Sequence, residues 1–156
     1  MKGNATVIEL LNEVLTTELT SVNQYFVDAR MLDNWGLARL GHHFYEESIG
    51  EMKDADHLIE RILYLGGMPN LQRLGTVQVG ENAPEKLEAA LTLEQAAIAR
   101  LNAGVATCTE LGDHGTRELL EEILEGEEAH ADWLETQLET IRLVGLELYL
   151  AQQIRD

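Results

Sequence analysis

The chain has 156 residues, with 11 Lys and Arg against 28 Asp and Glu, so its formal net charge is −17. This charge argues against binding to nucleic acid or an anionic membrane surface, which require a basic face, and it is compatible with attracting cations. The length predicts one domain, residues 1–156. Cys108 is the only cysteine, which excludes an internal disulfide. Neither a signal peptide nor a membrane-spanning stretch is evident, so we expect a cytoplasmic protein.

Two long helices are predicted in the first half of the chain. The first spans about residues 4–34, with Asn4 as its N-cap, and Gly36 suits the left-handed turn that follows. The second spans about residues 37–65. Apolar residues recur at helical spacing in both helices. Acidic residues share these core-facing stripes, namely Glu18 in the first helix and Glu47, Glu51 and Asp54 in the second.

A long connection separates the two halves. Residues 67–83 contain Gly, Pro and Asn and have no helical period. Fully extended, they reach roughly 55 Å, whereas the preceding helix is about 40 Å long. The connection can therefore run the length of a bundle and leave the second and third helices parallel. The remaining helices are predicted at residues 84–111, 115–144 and 146–154, and Glu94 lies in the apolar stripe of the third.

Glu127 and His130 interrupt the apolar stripe of the fourth helix, and their spacing places both side chains on one helical face. Alone, this pair is most simply a salt bridge with a satisfied core histidine, because an unpaired buried charge is very costly. The two halves of the chain, however, repeat one pattern. Each has a core-facing Glu on its first helix, and a Glu followed three positions later by a ligand-type residue on its second. The six residues are Glu18, Glu51, Asp54, Glu94, Glu127 and His130.

This layout is typical of carboxylate-bridged di-iron bundles, in which two helices supply one Glu each and two supply a Glu-x-x-His pair. Carboxylate oxygens and imidazole nitrogens suit Fe(II) and Fe(III). Several carboxylates converging in a dry core repel one another unless cations neutralise them. Because few Lys or Arg side chains face the core, a metal centre explains the pattern better than ion pairs do.

Short segments along the whole chain resemble the bacterioferritins, the haem-bearing branch of the ferritins. They are MKG at 1–3, NQYF at 23–26, NWGL at 34–37, EES at 46–48, EMK at 51–53, IERIL at 59–63, PNLQ at 69–72, EEAH at 127–130 and DWLETQL at 132–138. The resemblance implies an all-α, ferritin-like four-helix bundle with a long crossover between helices 2 and 3 and a short fifth helix. It also implies a cage of 24 subunits that stores ferric mineral, with a ferroxidase centre in each subunit and haem b between subunits.

Five of the six candidate ligands match the di-iron ligands of that family, namely Glu18, Glu51, Glu94, Glu127 and His130. The resemblance implies that Glu51 and Glu127 bridge the two irons. Asp54 departs from the family, which has histidine there. Aspartate is still an oxygen ligand, but it is shorter and adds negative charge, so ferroxidase activity is expected to be reduced. His57 lies on another helical face and is not expected to replace the missing imidazole.

Met52 matches the methionine that ligates haem from each of two subunits in the family. It follows a core-facing residue by one position and therefore points about 100° away from the core, toward a flank where a partner subunit could dock. Tyr25 and Trp133 match family positions near the di-iron centre. Their roles are core packing or the supply of electrons to oxidised iron.

These features together predict a cage subunit that oxidises Fe(II) with O₂ or peroxide and stores the ferric product. A redox partner would supply electrons to the haem. Two alternatives stay open. The first is a haem-holding, catalytically weak subunit of a mixed cage with a paralogous chain, suggested by Asp54 beside an intact Met52. The second is a di-iron oxidase of an organic substrate, which requires an apolar pocket beside the metals. Assembly is also expected because helix 146–154 has nothing to cover within a four-helix bundle.

Overall fold

The structure is a computed structural model that describes residues 1–156. It consists of five helices and no strands: α1 (Ala5–Asn34), α2 (Ala38–Tyr64), α3 (Ala83–Glu110), α4 (His114–Val144) and α5 (Leu146–Ala151). The predicted all-α architecture, a four-helix bundle with a short fifth helix, is confirmed. None of the helices is both long and apolar enough to cross a membrane.

Side-chain caps define where α1 and α3 begin. Asn4 accepts a hydrogen bond from the Thr6 amide at 2.8 Å, and Asn82 accepts one from the Glu85 amide at 2.9 Å. Each cap satisfies an amide that has no partner inside its helix. Between α1 and α2 the chain reverses at Gly36, whose φ of +82° is strained for residues with a side chain. The predicted cap and turn are therefore both present.

The crossover between α2 and α3 is held along one polar face of α1. The amides of Asn70, Gly75 and Gln78 donate to the side chains of Asn12, Thr20 and Gln24, respectively. These acceptors are spaced at multiples of four residues, which places them on one helical face. The crossover thus runs from the N-terminal toward the C-terminal end of α1, and α3 begins at that end, parallel to α2.

Two apolar clusters fill the bundle, one toward each end. The first includes Leu15, Ala55, Leu101 and Ile123, and the second includes Tyr25, Phe44, Ala90 and Leu134. On every long helix, the interval between these two clusters contains a buried glutamate, and the four are Glu18, Glu51, Glu94 and Glu127. The sequence therefore places a layer of acid across the middle of an otherwise apolar core.

The short helix α5 packs against the end of the bundle mainly through Tyr149, with Leu150 beside it. Tyr149 is 2% exposed, and its hydroxyl donates to Gln137 Oε1 at 2.9 Å. The expectation that this helix has nothing to cover is therefore wrong for Tyr149, which completes the second apolar cluster. Leu148 and Ile154 remain 64% and 57% exposed. Part of this C-terminal segment is thus still an apolar surface.

Candidate metal centre

Four glutamates, one from each long helix, meet in the acid layer. Their exposed fractions are 1% for Glu18, 4% for Glu51, 0% for Glu94 and 2% for Glu127. Three carboxyl contacts join them into a chain in the order Glu18, Glu51, Glu127 and Glu94. Glu51 and Glu127 occupy the two middle positions of this chain.

The first half of the layer is a group of four acids. Glu18, Glu51, Asp54 and Glu127 each present a carboxylate oxygen, and these oxygens lie within 4.8 Å of one another. Such spacing is short enough for one cation to contact several of them. Asp54 belongs to this group although the family resemblance assigns histidine to its position. His57 is exposed and takes no part in it.

The second half of the layer joins a carboxylate to an imidazole. The Nδ1 atom of His130 lies 3.0 Å from Glu94 Oε1, and the hydroxyl of Tyr25 donates to the same oxygen. Tyr25 also packs its ring against His130, with 5.3 Å between centroids and 87° between planes. The predicted pair on α3 and α4 is therefore brought together, and Tyr25 lies beside it.

The acid layer is electrostatically unfavourable without a cation. Burial raises the pKa of Glu18, Glu51 and Glu127 above the ordinary value, and repulsion from the neighbouring carboxylates raises each pKa further. Burial also raises the pKa of Glu94, but hydrogen bonds with Glu127 and His130 outweigh it, so the net shift is downward. Burial and mutual repulsion therefore favour the protonated form of several of these carboxyl groups unless a cation is bound among them.

Unsatisfied oxygens show that this layer suits a metal. Seven buried side-chain polar atoms in the protein lack a hydrogen-bond partner, and four of them belong to this one cluster. They are the Oε2 atoms of Glu18, Glu51, Glu94 and Glu127. Buried polar atoms are normally paired, so these lone pairs point to a missing partner. Carboxylate oxygens with one imidazole fit a hard or borderline divalent cation such as Fe(II).

Two residues of α2 extend the site toward solvent. His43 Nε2 lies 3.0 Å from His130 Nε2, and Glu47 Oε2 lies 3.6 Å from His130 Nδ1. Burial, and then the neighbouring His130, lowers the pKa of His43 to about 3, so its ring is neutral. The sequence analysis placed Glu47 on the core stripe but did not include it or His43 in the site. The signal was present, because positions 43, 47, 51 and 54 follow one helical face.

Met52 lies apart from this layer. Its side chain is 50% exposed on the flank of α2, as its position after Glu51 predicts. Trp133 lies at the rim of the site, where its ring stacks on His43 with 3.5 Å between centroids. The structure therefore separates the candidate haem ligand from the acids.

A four-helix bundle with a long crossover and a core layer of carboxylates and histidine defines the ferritin-like class of protein. Residues 8–144 match the ferritin-like domain family. The bacterioferritin of Mycobacterium bovis is 46% identical to the chain over 152 residues, which cover 97% of this chain and 96% of that protein. The same figures hold for bacterioferritin BfrA of Mycobacterium tuberculosis. The bacterioferritin of Streptomyces coelicolor is 44% identical over 156 residues, covering 100% and 93%. The chain belongs to the bacterioferritin family.

Proposed function

We propose that this chain is an iron-storage subunit that oxidises Fe(II) at an intrasubunit centre and contributes to a cage holding the ferric product. The observation that carries the proposal is the acid layer itself. Four buried glutamates with unpartnered oxygens lie beside a histidine, and no Lys or Arg is paired with them. The only fully buried lysine, Lys86, is paired elsewhere, with Asp28. Bound divalent cations would supply the positive charge that balances these carboxylates.

The chain of carboxyl contacts supports a particular division of roles. Glu51 and Glu127 occupy its middle and would bridge two cations. Asp54 and Glu18 lie in one group with Glu51 and Glu127. Asp54 and Glu18 would therefore complete one cation position. Glu94 and His130 are in contact at the other end and would complete the second. Both positions combine oxygens from at least two helices, which requires the folded bundle.

The protein residues supply positioning, charge and exclusion of water. When bound, Fe(II) supplies the electrons that reduce O₂ or peroxide. The carboxylates hold two substrate ions side by side, and the buried carboxyl groups lose their protons as the ions bind. Tyr25 fixes the orientation of Glu94 through its hydrogen bond. The apolar clusters on either side limit water, which strengthens the attraction between carboxylates and cations.

The test is oxidation of about two Fe(II) per subunit, the stoichiometry of a two-metal site. Glu127→Ala should abolish the rapid phase of ferric absorbance growth, because it removes a bridging ligand. Glu128→Ala is the matched control, since Glu128 is the exposed neighbour on the same helix. Rapid oxidation by Glu127→Ala at the wild-type rate would contradict the proposal.

We also propose that Met52 ligates haem b at an interface between two subunits of a 24-subunit cage. Ser48 Oγ donates to the Val22 carbonyl at 3.0 Å, which sets the register of α1 against α2. In that register, Phe26 of α1 and Met52 of α2 are 49% and 50% exposed, and Tyr45 is 43% exposed. Large apolar side chains left exposed on neighbouring helices support burial against a partner and a flat apolar group. Light scattering after size-exclusion chromatography tests assembly, and a monodisperse monomer would contradict it.

Two observations bear on the alternatives. Asp54 lies within the carboxylate group rather than outside it, which favours a working centre over the catalytically weak subunit of a mixed cage. A cavity of about 700 Å³ borders His43 and Trp133, but only 4 of its 13 lining residues are hydrophobic. None of the carboxylates of the acid layer lines it, so it is not the pocket beside the metals that an oxidase of organic substrates requires.

A further inference from the structure

His43 lies against His130 on the side opposite Glu94, and Glu47 Oε1 lies 3.9 Å from its Nε2. The two Nε2 atoms are 3.0 Å apart, which is hydrogen-bonding distance. The imidazole of His43 lies flat on the Trp133 indole, with 3.5 Å between centroids and 10° between planes. This stack restricts rotation of the His43 ring. The nitrogen that faces His130 is therefore held in place by the fold.

The two nitrogens of His130 have different surroundings. Its Nδ1 faces Glu94 at 3.0 Å and Glu47 at 3.6 Å, whereas its Nε2 faces only His43. A neutral imidazole has one N–H and one lone pair, and only the lone pair binds a metal. A cation held among the carboxylates therefore requires the His130 proton to be on Nε2. That proton then needs an acceptor on the His43 side.

We infer that His43 is a positioning residue for the metal centre, which accepts the Nε2 hydrogen of His130 and thereby turns the Nδ1 lone pair toward the cation. The inference rests on the proposed function, because it takes His130 as a ligand. Metal-binding histidines generally donate their second N–H to a fixed acceptor, which sets the tautomer and ring orientation. Here a second imidazole takes the place of the usual carboxylate or carbonyl.

A neutral acceptor suits this site better than an acidic one. The acid layer already contains five carboxyl groups, from Asp54 and the four buried glutamates, and Glu47 adds a sixth at its edge, against two divalent cations. Another carboxylate behind His130 would add to the excess of negative charge, whereas the neutral His43 does not. His43 also borders the open cavity, where water can supply or accept the proton on its other nitrogen. The pair can thus change tautomer without placing a charge in the core.

Three variants separate hydrogen bonding from packing. His43→Phe keeps a flat ring against Trp133 but removes the acceptor. His43→Gln supplies a carbonyl acceptor without the ring. His42→Ala is the matched control, because His42 is the exposed neighbour and its imidazole pairs with Glu46 and Asp156 rather than with His130. The assembled, metal-free protein is titrated with Co(II), and both the d–d absorption spectrum and the dissociation constant of each equivalent are recorded against a competing chelator.

We expect His43→Phe to weaken one of two Co(II) equivalents about 10–100-fold and to alter its spectrum. His43→Gln should restore affinity toward the wild-type value, and His42→Ala should not change it. Equal affinities in His43→Phe and the wild type would overturn the inference. Loss of a third bound equivalent in His43→Phe, with the other two unchanged, would also overturn it, because His43 would then be a ligand itself. A failure of the proposed function itself gives a different result. If His130 is not a metal ligand, His130→Ala binds two Co(II) as tightly as the wild type does.

Discussion

The hydroxyl of Tyr25 donates a hydrogen bond to Glu94, the glutamate that α3 contributes to the acid layer. Both side chains are completely buried. Burial raises the pKa of Tyr25 well above its ordinary value, and the charge of Glu94 raises it further, so the phenol keeps its proton. Tyr25 is therefore a fixed donor that holds one carboxylate oxygen in orientation.

The first prediction concerns Tyr25→Phe, which keeps the ring and removes only the hydroxyl. We expect the initial rate of Fe(II) oxidation to fall at least about tenfold, because Glu94 loses its orienting partner. The free energy of unfolding should fall by about 1–3 kcal/mol, because a buried carboxylate loses its donor. Stopped-flow absorbance and denaturant unfolding measure the two effects. Tyr64→Phe, an exposed tyrosine of α2, is the control, and an unchanged rate in Tyr25→Phe would exclude the orienting role.

The sequence predicted the four glutamates because helical spacing alone decides which face a residue occupies. Once Glu18, Glu51, Glu94 and Glu127 shared faces with core residues, their convergence followed from the bundle. His43 could not be found in this way, since its partner His130 is 87 positions away and the contact depends on how α2 and α4 pack. Sequence spacing shows which residues share one face of a helix, but it does not show which residues of another helix pack against that face.

The same reason explains two other features that the sequence did not predict. Lys86 lies 58 positions from its buried partner Asp28, and neither helix alone shows that the two meet. Tyr149 fills the end of the second apolar cluster only because Gly145, at φ +88°, turns the chain between α4 and α5. The direction of that turn is a property of tertiary packing rather than of local apolar periodicity.

The second prediction concerns haem. Met52→Leu should remove haem from the assembled protein or change its visible spectrum, because leucine has no sulfur to ligate iron. The cage should stay intact, and Fe(II) oxidation should change little, since Met52 points away from the acid layer. Met68→Leu is the control, as Met68 is exposed on the crossover. The haem-to-protein absorbance ratio is the measurement, and equal ratios in both variants would refute the assignment.

The third prediction uses the buried ion pair of Asp28 and Lys86, whose charged atoms are 2.8 Å apart. Burial raises the pKa of Asp28 from 3.8 to about 6, against the opposing effect of Lys86. The folded state thus holds this proton more tightly than the unfolded state does. The stability that the protonated carboxyl contributes is complete below about pH 4 and is lost as the pH rises through 6.

Lys86→Met removes the only cation beside Asp28. It should therefore enlarge the loss of folding stability that occurs as the pH rises through 6. At pH 8 the variant should be destabilised by about 3–5 kcal/mol, because an ionised carboxylate is left buried without a partner. At pH 5 the deficit should be much smaller, since Asp28 is then mostly protonated. Thermal unfolding of the metal-free protein at both pH values measures the difference. The double variant Asp28→Asn/Lys86→Met is the control, and its deficit should not depend on pH in this range; a pH-independent deficit in Lys86→Met would contradict the prediction.

The last prediction concerns Asp54, where the chain departs from the family pattern. With Asp54 ionised, five carboxylates face two Fe(II) ions, so the centre carries an excess negative charge. Asp54→His replaces one carboxylate by a neutral imidazole, reduces this excess negative charge and reaches farther into the layer. It also restores the same Glu-x-x-His pattern on α2 that Glu127 and His130 form on α4. We therefore expect Asp54→His to increase the initial rate of Fe(II) oxidation.

The comparison requires about two Fe(II) per subunit, added to metal-free protein, with ferric absorbance followed from the start. Asp56→His is the control for adding a histidine, because Asp56 is an exposed neighbour that faces away from the layer. Asp54→Asn separates charge from ligand type, since it removes the charge but provides no imidazole. If Asp54→His leaves the rate unchanged or lowers it, aspartate is a competent native ligand. The argument for a catalytically weak subunit in a mixed cage would then lose its basis, because Asp54 is the only departure from the family's ligand set.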